Sequence, residues 1–344
     1  MMTDKKPNIL LVYTGGTIGM VKDFKTGTLK AFNFNNLLKQ IPELHLLACD
    51  INTISLEEPI DSSNINPDYW VKIAEIIADH YDDYDGFVIL HGSDTMSYTA
   101  SALSFMLENL KKPVVFTGAQ LPIGDLRTDA KENLITSIQV ASLQEHGKPV
   151  IQEVCLYFEY KLYRGNRTTK VNAENFQAFR SYNYPELAES GVHLKVNHKY
   201  LLRRKSEAPF KLNKSLDTNI ALIKLYPGIS EAVISSILNT ANLKAVIIET
   251  FGSGNSTTAS WFINLLSNAI KKGIHIINVT QCLGGSVIMG QYETSSQLKK
   301  IGVISGKDIT TEAALGKLMH LLGQDVSDNQ FKTKFETSLC GELS

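Results

Sequence analysis

The sequence predicts an α/β protein of two domains with mainly parallel sheets, a larger N-terminal domain followed by a smaller C-terminal one. Three observations carry that expectation. Short runs of branched or large apolar residues, at 9–12, 86–91 and 114–117, each stop at glycine or small polar residues, as buried parallel strands do. Stretches of helical period lie between them, which is the rhythm of βαβ units. The chain has 344 residues, more than a single core usually serves, and its hydrophobic periodicity fades between residues 193 and 218. We therefore expect an N-terminal domain over residues 1–200, a connection over 201–218 and a C-terminal domain over 219–344.

The first strand opens the stretch NILLVYTGGTIGM, residues 8–20, in which an apolar run halts at Thr14 and three glycines follow within five residues. Ligands of open parallel sheets bind beyond the carboxyl ends of the strands, so Thr14 stands where chemistry is expected. Taken alone, the loop fits an ordinary glycine turn better than a ligand cradle. Residues 21–32 show little periodicity and read as a solvated, hinged segment able to act as a lid. A short helix is expected over 35–41 and a strand over 51–56, running into Asp61, Ser62 and Ser63. Asn66 and Pro67 are the cap and first-turn residue of a helix whose Trp70, Ile73, Ile77 and Tyr81 share a core-facing stripe. Asp82, Asp83 and Asp85 begin like a calcium loop, but Ser93 stands at the twelfth position where a bidentate glutamate is required. They read as a solvated turn.

The next strand, 86–91, ends in Gly92, Ser93, Asp94 and Thr95, and a helix is expected over 96–110. A fourth strand spans 114–117 and leads into Gly118, Ala119 and Gln120. A helix over 129–143 and a strand over 150–158 follow, and then the polar stretch YRGNRTTK, ending in Lys170. Basic residues with Pro209 among them mark the connection. Beyond it, strands are expected at 219–225, 245–250 and 275–280, and helices near 230–238, 260–271 and 311–322.

Composition narrows the function classes. With 34 basic and 35 acidic side chains the formal charge is -1, which provides no net attraction to nucleic acid or an acidic membrane. Cys49, Cys155, Cys282 and Cys340 are scattered without a CxxC pair and read as reduced thiols. No HExxH or clustered His/Cys spacing supports a metal, and we expect no cofactor. The N-terminal apolar run is too short for a secretory signal, and no run approaches the roughly 20 residues of a membrane span. A cytoplasmic protein is expected.

Hydrolysis of an amide by a side-chain nucleophile needs a hydroxyl, a proton acceptor, donors for the oxyanion and a grip on the rest of the substrate. The strand ends offer Thr14 as nucleophile, Asp94 with Lys170 as a charge pair tuning proton transfer, and Ser93 as a second hydroxyl. A lysine beside a carboxylate ordinarily stays protonated, so it acts as a base only through burial or a transient shuttle via the hydroxyl. His91 closes a buried strand and reads as a structural imidazole more readily than as a base. The absence of a GxSxG elbow argues against the α/β-hydrolase arrangement.

These residues meet a known family. YTGGTIGM at 13–20, DSS at 61–63, DGFVILHGSDTM at 85–96, TGAQLP at 117–122 and RGNRTTK at 164–170 closely resemble the bacterial-type L-asparaginases, best the cytoplasmic type I branch. LYPGIS at 225–230, FGSGN at 251–255 and NVTQC at 278–282 extend the resemblance over essentially the whole chain. The resemblance implies hydrolysis of L-asparagine to L-aspartate and ammonia through an acyl-enzyme on Thr14. Asp94 and Lys170 match the carboxylate and lysine of the family's second triad, and Ser93 stands where that triad usually has threonine. Asp61, Ser62 and Ser63 match the segment that holds the α-carboxylate and α-amino groups, with Asp94 sharing the amino group and Ala119 helping to hold the amide. A homodimer or homotetramer is implied, with Asn255 a weak candidate for a contribution to the neighbouring site.

Three departures from the pattern follow. Ser93 lacks the β-methyl that restricts χ1, so its hydroxyl is held less firmly. Thr28 lies about where the mobile loop commonly has tyrosine, and Phe24 has no phenolic hydroxyl to replace it. Thr280, Gln281 and Cys282 resemble part of a regulatory asparagine site, yet Glu249 stands where regulated members use arginine and would repel a carboxylate effector. Other readings are the same chemistry on glutamine, D-asparagine or a tRNA-linked amide, a nucleotide- or sugar-binding module, and an inactive member of the family.

Overall fold

A computed structural model describes residues 6–22, 29–31, 41–203, 207–291, 293–324 and 326–344, and divides into two compact units, residues 1–214 and 215–344. The N-terminal unit is built on an eight-stranded sheet. Its parallel part consists of β1 (Asn8–Gly15), β2 (Asp50–Ile60), β3 (Gly86–Leu90), β4 (Val114–Thr117) and β5 (Val154–Phe158), in the spatial order β5-β4-β3-β1-β2. Three antiparallel strands, Lys161–Arg164, Ala188–Ser190 and Leu194–Val196, extend the β5 side. From β1 the chain goes to β2 on one side and then to β3 on the other. That reversal opens a crevice at the carboxyl end of β1, the place where such sheets bind ligands.

The strands are buried on both faces. Ile9, Leu11 and Tyr13 of β1 join Val88, Leu90 and Val115 in one core cluster, while the alternating Leu10 and Val12 are equally buried on the opposite face. Helix α1 (Pro67–Asp79) starts where expected: the Asn66 side chain accepts from the amides of Asp68 and Tyr69, and Trp70, Ile73 and Ile77 are buried. Helix α2 (Met96–Met106) follows β3, and α3 (Ala130–Ser142) follows β4. Leu134 and Ile138 of α3 pack into the cluster with β1.

The structure corrects several expected boundaries. The helix predicted over 96–110 stops at Met106, because Leu107–Glu108 pairs antiparallel with Lys211–Leu212 and Asn109 turns to φ 56°. The strand predicted over 150–158 begins only at Val154. Just before it, Glu153 is drawn into a buried ion pair with Arg164 at 2.5 Å and accepts the Leu202 amide. The strand expected over 51–56 runs on to Ile60, and its Pro59 is tolerated because β2 is an edge strand. Met20–Lys22 and Leu29–Ala31 form an antiparallel pair in the segment read as solvated and hinged. Residues 23–28, with Phe24 and Thr28, lie outside the described residues, as do residues 35–40 of the helix expected over 35–41. Lys211–Leu212 also places a strand inside the stretch read as a connection.

The C-terminal unit holds a four-stranded parallel sheet: β6 (Ile220–Lys224), β7 (Ala245–Thr250), β8 (His275–Thr280) and β9 (Ile304–Ser305), in that spatial order. Helices α4 (Glu231–Leu238), α5 (Ser260–Lys271), α6 (Glu293–Ile301), α7 (Thr311–Gly323) and α8 (Asp328–Glu336) accompany it. The short polar α6 and α8 and the two-residue β9 were not foreseen from periodicity.

Candidate active site

The candidate residues collect at the carboxyl ends of β1, β2, β3 and β4. Thr14 lies in β1, 1% exposed, and its hydroxyl donates to the Leu90 carbonyl of the neighbouring β3 at 2.9 Å. Here the backbones approach closely. A Cβ on Gly15 would fall 2.1 Å from the Ile60 carbonyl oxygen, and one on Gly16, at φ 85°, would fall 2.5 Å from the Gly92 Cα. Only glycine permits that approach, which brings the ends of β1, β2 and β3 together.

After β2, Asp61 caps a single helical turn, Ser62–Asn64. Its Oδ1 accepts from the Ser63 amide at 2.9 Å and the Ser63 hydroxyl at 2.8 Å. Those bonds hold the Asp61 carboxyl below its ordinary pKa, so it remains a carboxylate on an exposed rim. The Thr95 hydroxyl donates to the Ser62 carbonyl at 2.7 Å and ties this turn to the segment after β3.

Lys170 joins the set from the other direction. The antiparallel strand Lys161–Arg164 leads into the turn Gly165–Arg167, and Thr169–Lys170 then pairs with Phe179–Arg180. Lys170 Nζ donates to Ser93 Oγ at 2.8 Å and to Asp94 Oδ1 at 2.6 Å. The lysine is well covered, whereas Asp94 presents 62% of its side chain to solvent. Ser93, Asp94 and Lys170 are thus in direct contact, and Thr14 stands at the end of the strand adjacent to β3.

His91 lies fully buried behind them. The Gly92 carbonyl, 2.7 Å from Nδ1, can only accept, so Nδ1 carries the proton. Nε2 then accepts from the Thr99 hydroxyl at 2.9 Å, which itself accepts from Trp70 Nε1. Burial lowers the His91 pKa to about 4 against the pull of the Gly92 carbonyl. The ring is neutral at physiological pH and holds the end of β3 in place.

Two residues that sequence reasoning passed over support the loop after β4. Asp129 occupies the cap position of α3 but turns its carboxylate back, accepting from the amides of Gln120 and Leu121 at 3.0–3.1 Å. Asn133, one turn on, donates to the Gly118 carbonyl at 3.1 Å and to Asp129 Oδ2. Ala119 is therefore held between two anchored neighbours. The Gln120 side chain meets Ser93 directly. The signal available in the sequence was a polar residue in the loop after a strand end; its partner could not be read from spacing.

Among the described residues no group of three or more His, Cys, Asp or Glu side chains could hold a metal. In the C-terminal unit, Glu249 accepts from Thr311 Oγ1 at 2.6 Å and faces Lys224 at 3.6 Å. Gln281 donates to the Leu225 and Glu249 carbonyls, and Thr280 to the Gly252 carbonyl. Asn255 lies in a Phe251–Asn255 turn and accepts from Thr294.

Two α/β units, with hydroxyls, carboxylates and a lysine gathered at the strand ends of the larger one, make up the structure. Comparison with known proteins names the family. Residues 8–202 match the model of the asparaginase N-terminal domain, and residues 219–335 that of the glutaminase/asparaginase C-terminal domain. L-asparaginase 1 of Escherichia coli K12 is 42% identical over 341 residues, 99% of each chain. The 60 kDa lysophospholipase of Mus musculus is 39% identical over 98% of this chain and 62% of its own. The crystal structure of L-asparaginase I from Vibrio cholerae matches with a TM-score of 0.88 and 41% identity, over 99% of this chain and 100% of that one. The chain belongs to the asparaginase family.

Proposed function

We propose that this protein hydrolyses L-asparagine to L-aspartate and ammonia through a covalent ester on Thr14. The observation that carries the reading is the contact set Lys170–Ser93–Asp94 at the end of β3, beside the end of β1 that bears Thr14. Full-length likeness to an L-asparaginase of Escherichia coli supports the substrate.

In this mechanism Asp61, Ser62 and Ser63 hold the α-carboxylate and α-ammonium of the substrate, with Asp94 sharing the ammonium. The Ala119 backbone helps to seat the side-chain amide. Thr14 Oγ attacks the amide carbon, backbone donors take the charge on oxygen, and the Thr14 proton passes by way of Ser93 and Lys170 to the departing nitrogen. The C–N bond breaks and ammonia leaves. Water then attacks the Thr14 ester, releasing L-aspartate and restoring the hydroxyl. Neither metal nor cofactor enters the scheme.

The same proposal has the enzyme cytoplasmic and working as a homodimer or homotetramer, without a nucleic-acid or membrane partner. Among the described residues no helix is long and apolar enough to cross a membrane. Ammonia release from L-asparagine, L-glutamine and D-asparagine tests the substrate. Release from L-asparagine at a kcat/KM at least about tenfold above either alternative is expected. Preference for another amide would overturn the assignment.

A further inference from the structure

Ser93 has no β-methyl to restrict its rotation, yet its hydroxyl is held from two sides. Lys170 Nζ donates to Oγ at 2.8 Å, and Oγ lies 3.2 Å from Gln120 Oε1. The orientation of the Gln120 amide follows from its other end. Its nitrogen faces two carbonyls, Ala173 at 3.3 Å and Asn175 at 3.1 Å, which only an NH2 group can satisfy. Oε1 therefore faces Ser93, and Ser93 must be the donor. Hydrogen bonds run in one direction, from Lys170 to Ser93 to Gln120 to the loop that follows Lys170.

We infer that Gln120 is a positioning residue for the Ser93 hydroxyl, whose rotation no β-methyl restricts. It fixes χ1 in the resting enzyme and so keeps Ser93 Oγ beside Lys170. This rests on the roles proposed above for Ser93 and Lys170. The placement of Gln120 is itself secured by Asp129, whose carboxylate accepts its backbone amide. Behind Gln120 lies a cavity of about 540 Å³, lined also by Leu121, Arg127 and residues 173–176. An alanine at 120 would remove the side chain's bulk together with the acceptor, so the informative substitution keeps the length and removes the acceptor.

The test is a double-mutant cycle of Gln120→Met and Ser93→Thr, with Ser93→Ala as reference and ammonia release from L-asparagine as readout. Gln120→Met should lower kcat about tenfold, as loss of one well-placed hydrogen bond does, with KM changed less than about twofold. In the Ser93→Thr background, where a methyl restricts χ1, the same substitution should cost less than about threefold. Gln120→Asn, which keeps the amide but withdraws it by one methylene, should give the same coupling and serves if Gln120→Met does not fold. Equal losses in both backgrounds would make Gln120 a loop anchor only and overturn the inference. So would a rise in KM at constant kcat. Unchanged turnover in Ser93→Ala would instead overturn the underlying reading of Ser93, and this role with it.

Discussion

His91 shows how a single residue at a strand end is read from its partners. Both ring nitrogens are engaged, one by the Gly92 carbonyl and one by Thr99, and burial lowers the pKa to about 4. In the unfolded chain the imidazole takes up its proton near pH 6.5; in the native state it does not until about pH 4. The unfolded state therefore binds more protons between these values, and stability is lost as pH falls through that window. Between pH 7 and 4.5 the wild type should lose about 2 kcal/mol more than His91→Gln, measured by urea denaturation. Equal losses would contradict the assignment of a neutral, buried ring. Ser93 and Asp94 could be singled out from their types and their position after an apolar run, and Lys170 as the basic residue that ends a polar stretch. Gln120 and Asp129 could not, because each acts through contacts that only the folded loop creates.

At the scale of elements, the crevice depends on how closely β1 meets its neighbours. Gly16 combines a positive φ of 85° with a Cβ position 2.5 Å from the Gly92 Cα. Gly16→Ala should cost at least about 2 kcal/mol in urea denaturation and lower turnover about a hundredfold by shifting Thr14 against Ser93. Gly147 is the control: its φ is 72°, but nothing lies within 4 Å of its Cβ position, so Gly147→Ala should cost about 1 kcal/mol and leave turnover unchanged. Equal effects would show that strain alone, not the close approach, limits Gly16. The elements legible in the sequence are those whose signal is local. Ala245–Thr250, His275–Thr280 and Ser260–Lys271 stand where their apolar patterns put them. Leu107–Glu108 was lost inside a predicted helix because its partner, Lys211–Leu212, is remote in sequence. The helices Glu293–Ile301 and Asp328–Glu336 carry too few apolar residues to declare a period.

At the scale of the molecule, each unit closes its own core, and the C-terminal one is locked by a buried ion pair. Lys317 and Glu342 are both 0% exposed and 2.5 Å apart. Lys317 also donates to the Phe335 and Thr337 carbonyls, and Glu342 accepts from the amides of Leu339 and Cys340. Burial alone would raise the Glu342 carboxyl, but Lys317 and those amides outweigh it and hold the pKa below the ordinary value. Its contribution to stability is present above the unfolded carboxylate range and disappears as pH falls below it. Lys317→Met leaves a carboxylate buried without its cation and should cost about 3–5 kcal/mol in calorimetric unfolding. Recovery of part of that loss in Lys317→Met with Glu342→Leu is expected; no loss in the single variant would contradict the account.

The chemistry across the whole molecule converges on Thr14. The most direct measurement is ammonia release from L-asparagine by Thr14→Ala, run beside the wild type, with L-aspartate binding followed by calorimetry. Turnover reduced by at least about 10³-fold with aspartate binding retained is expected of a lost nucleophile in an intact site. Turnover retained in Thr14→Ala would contradict the proposed covalent mechanism.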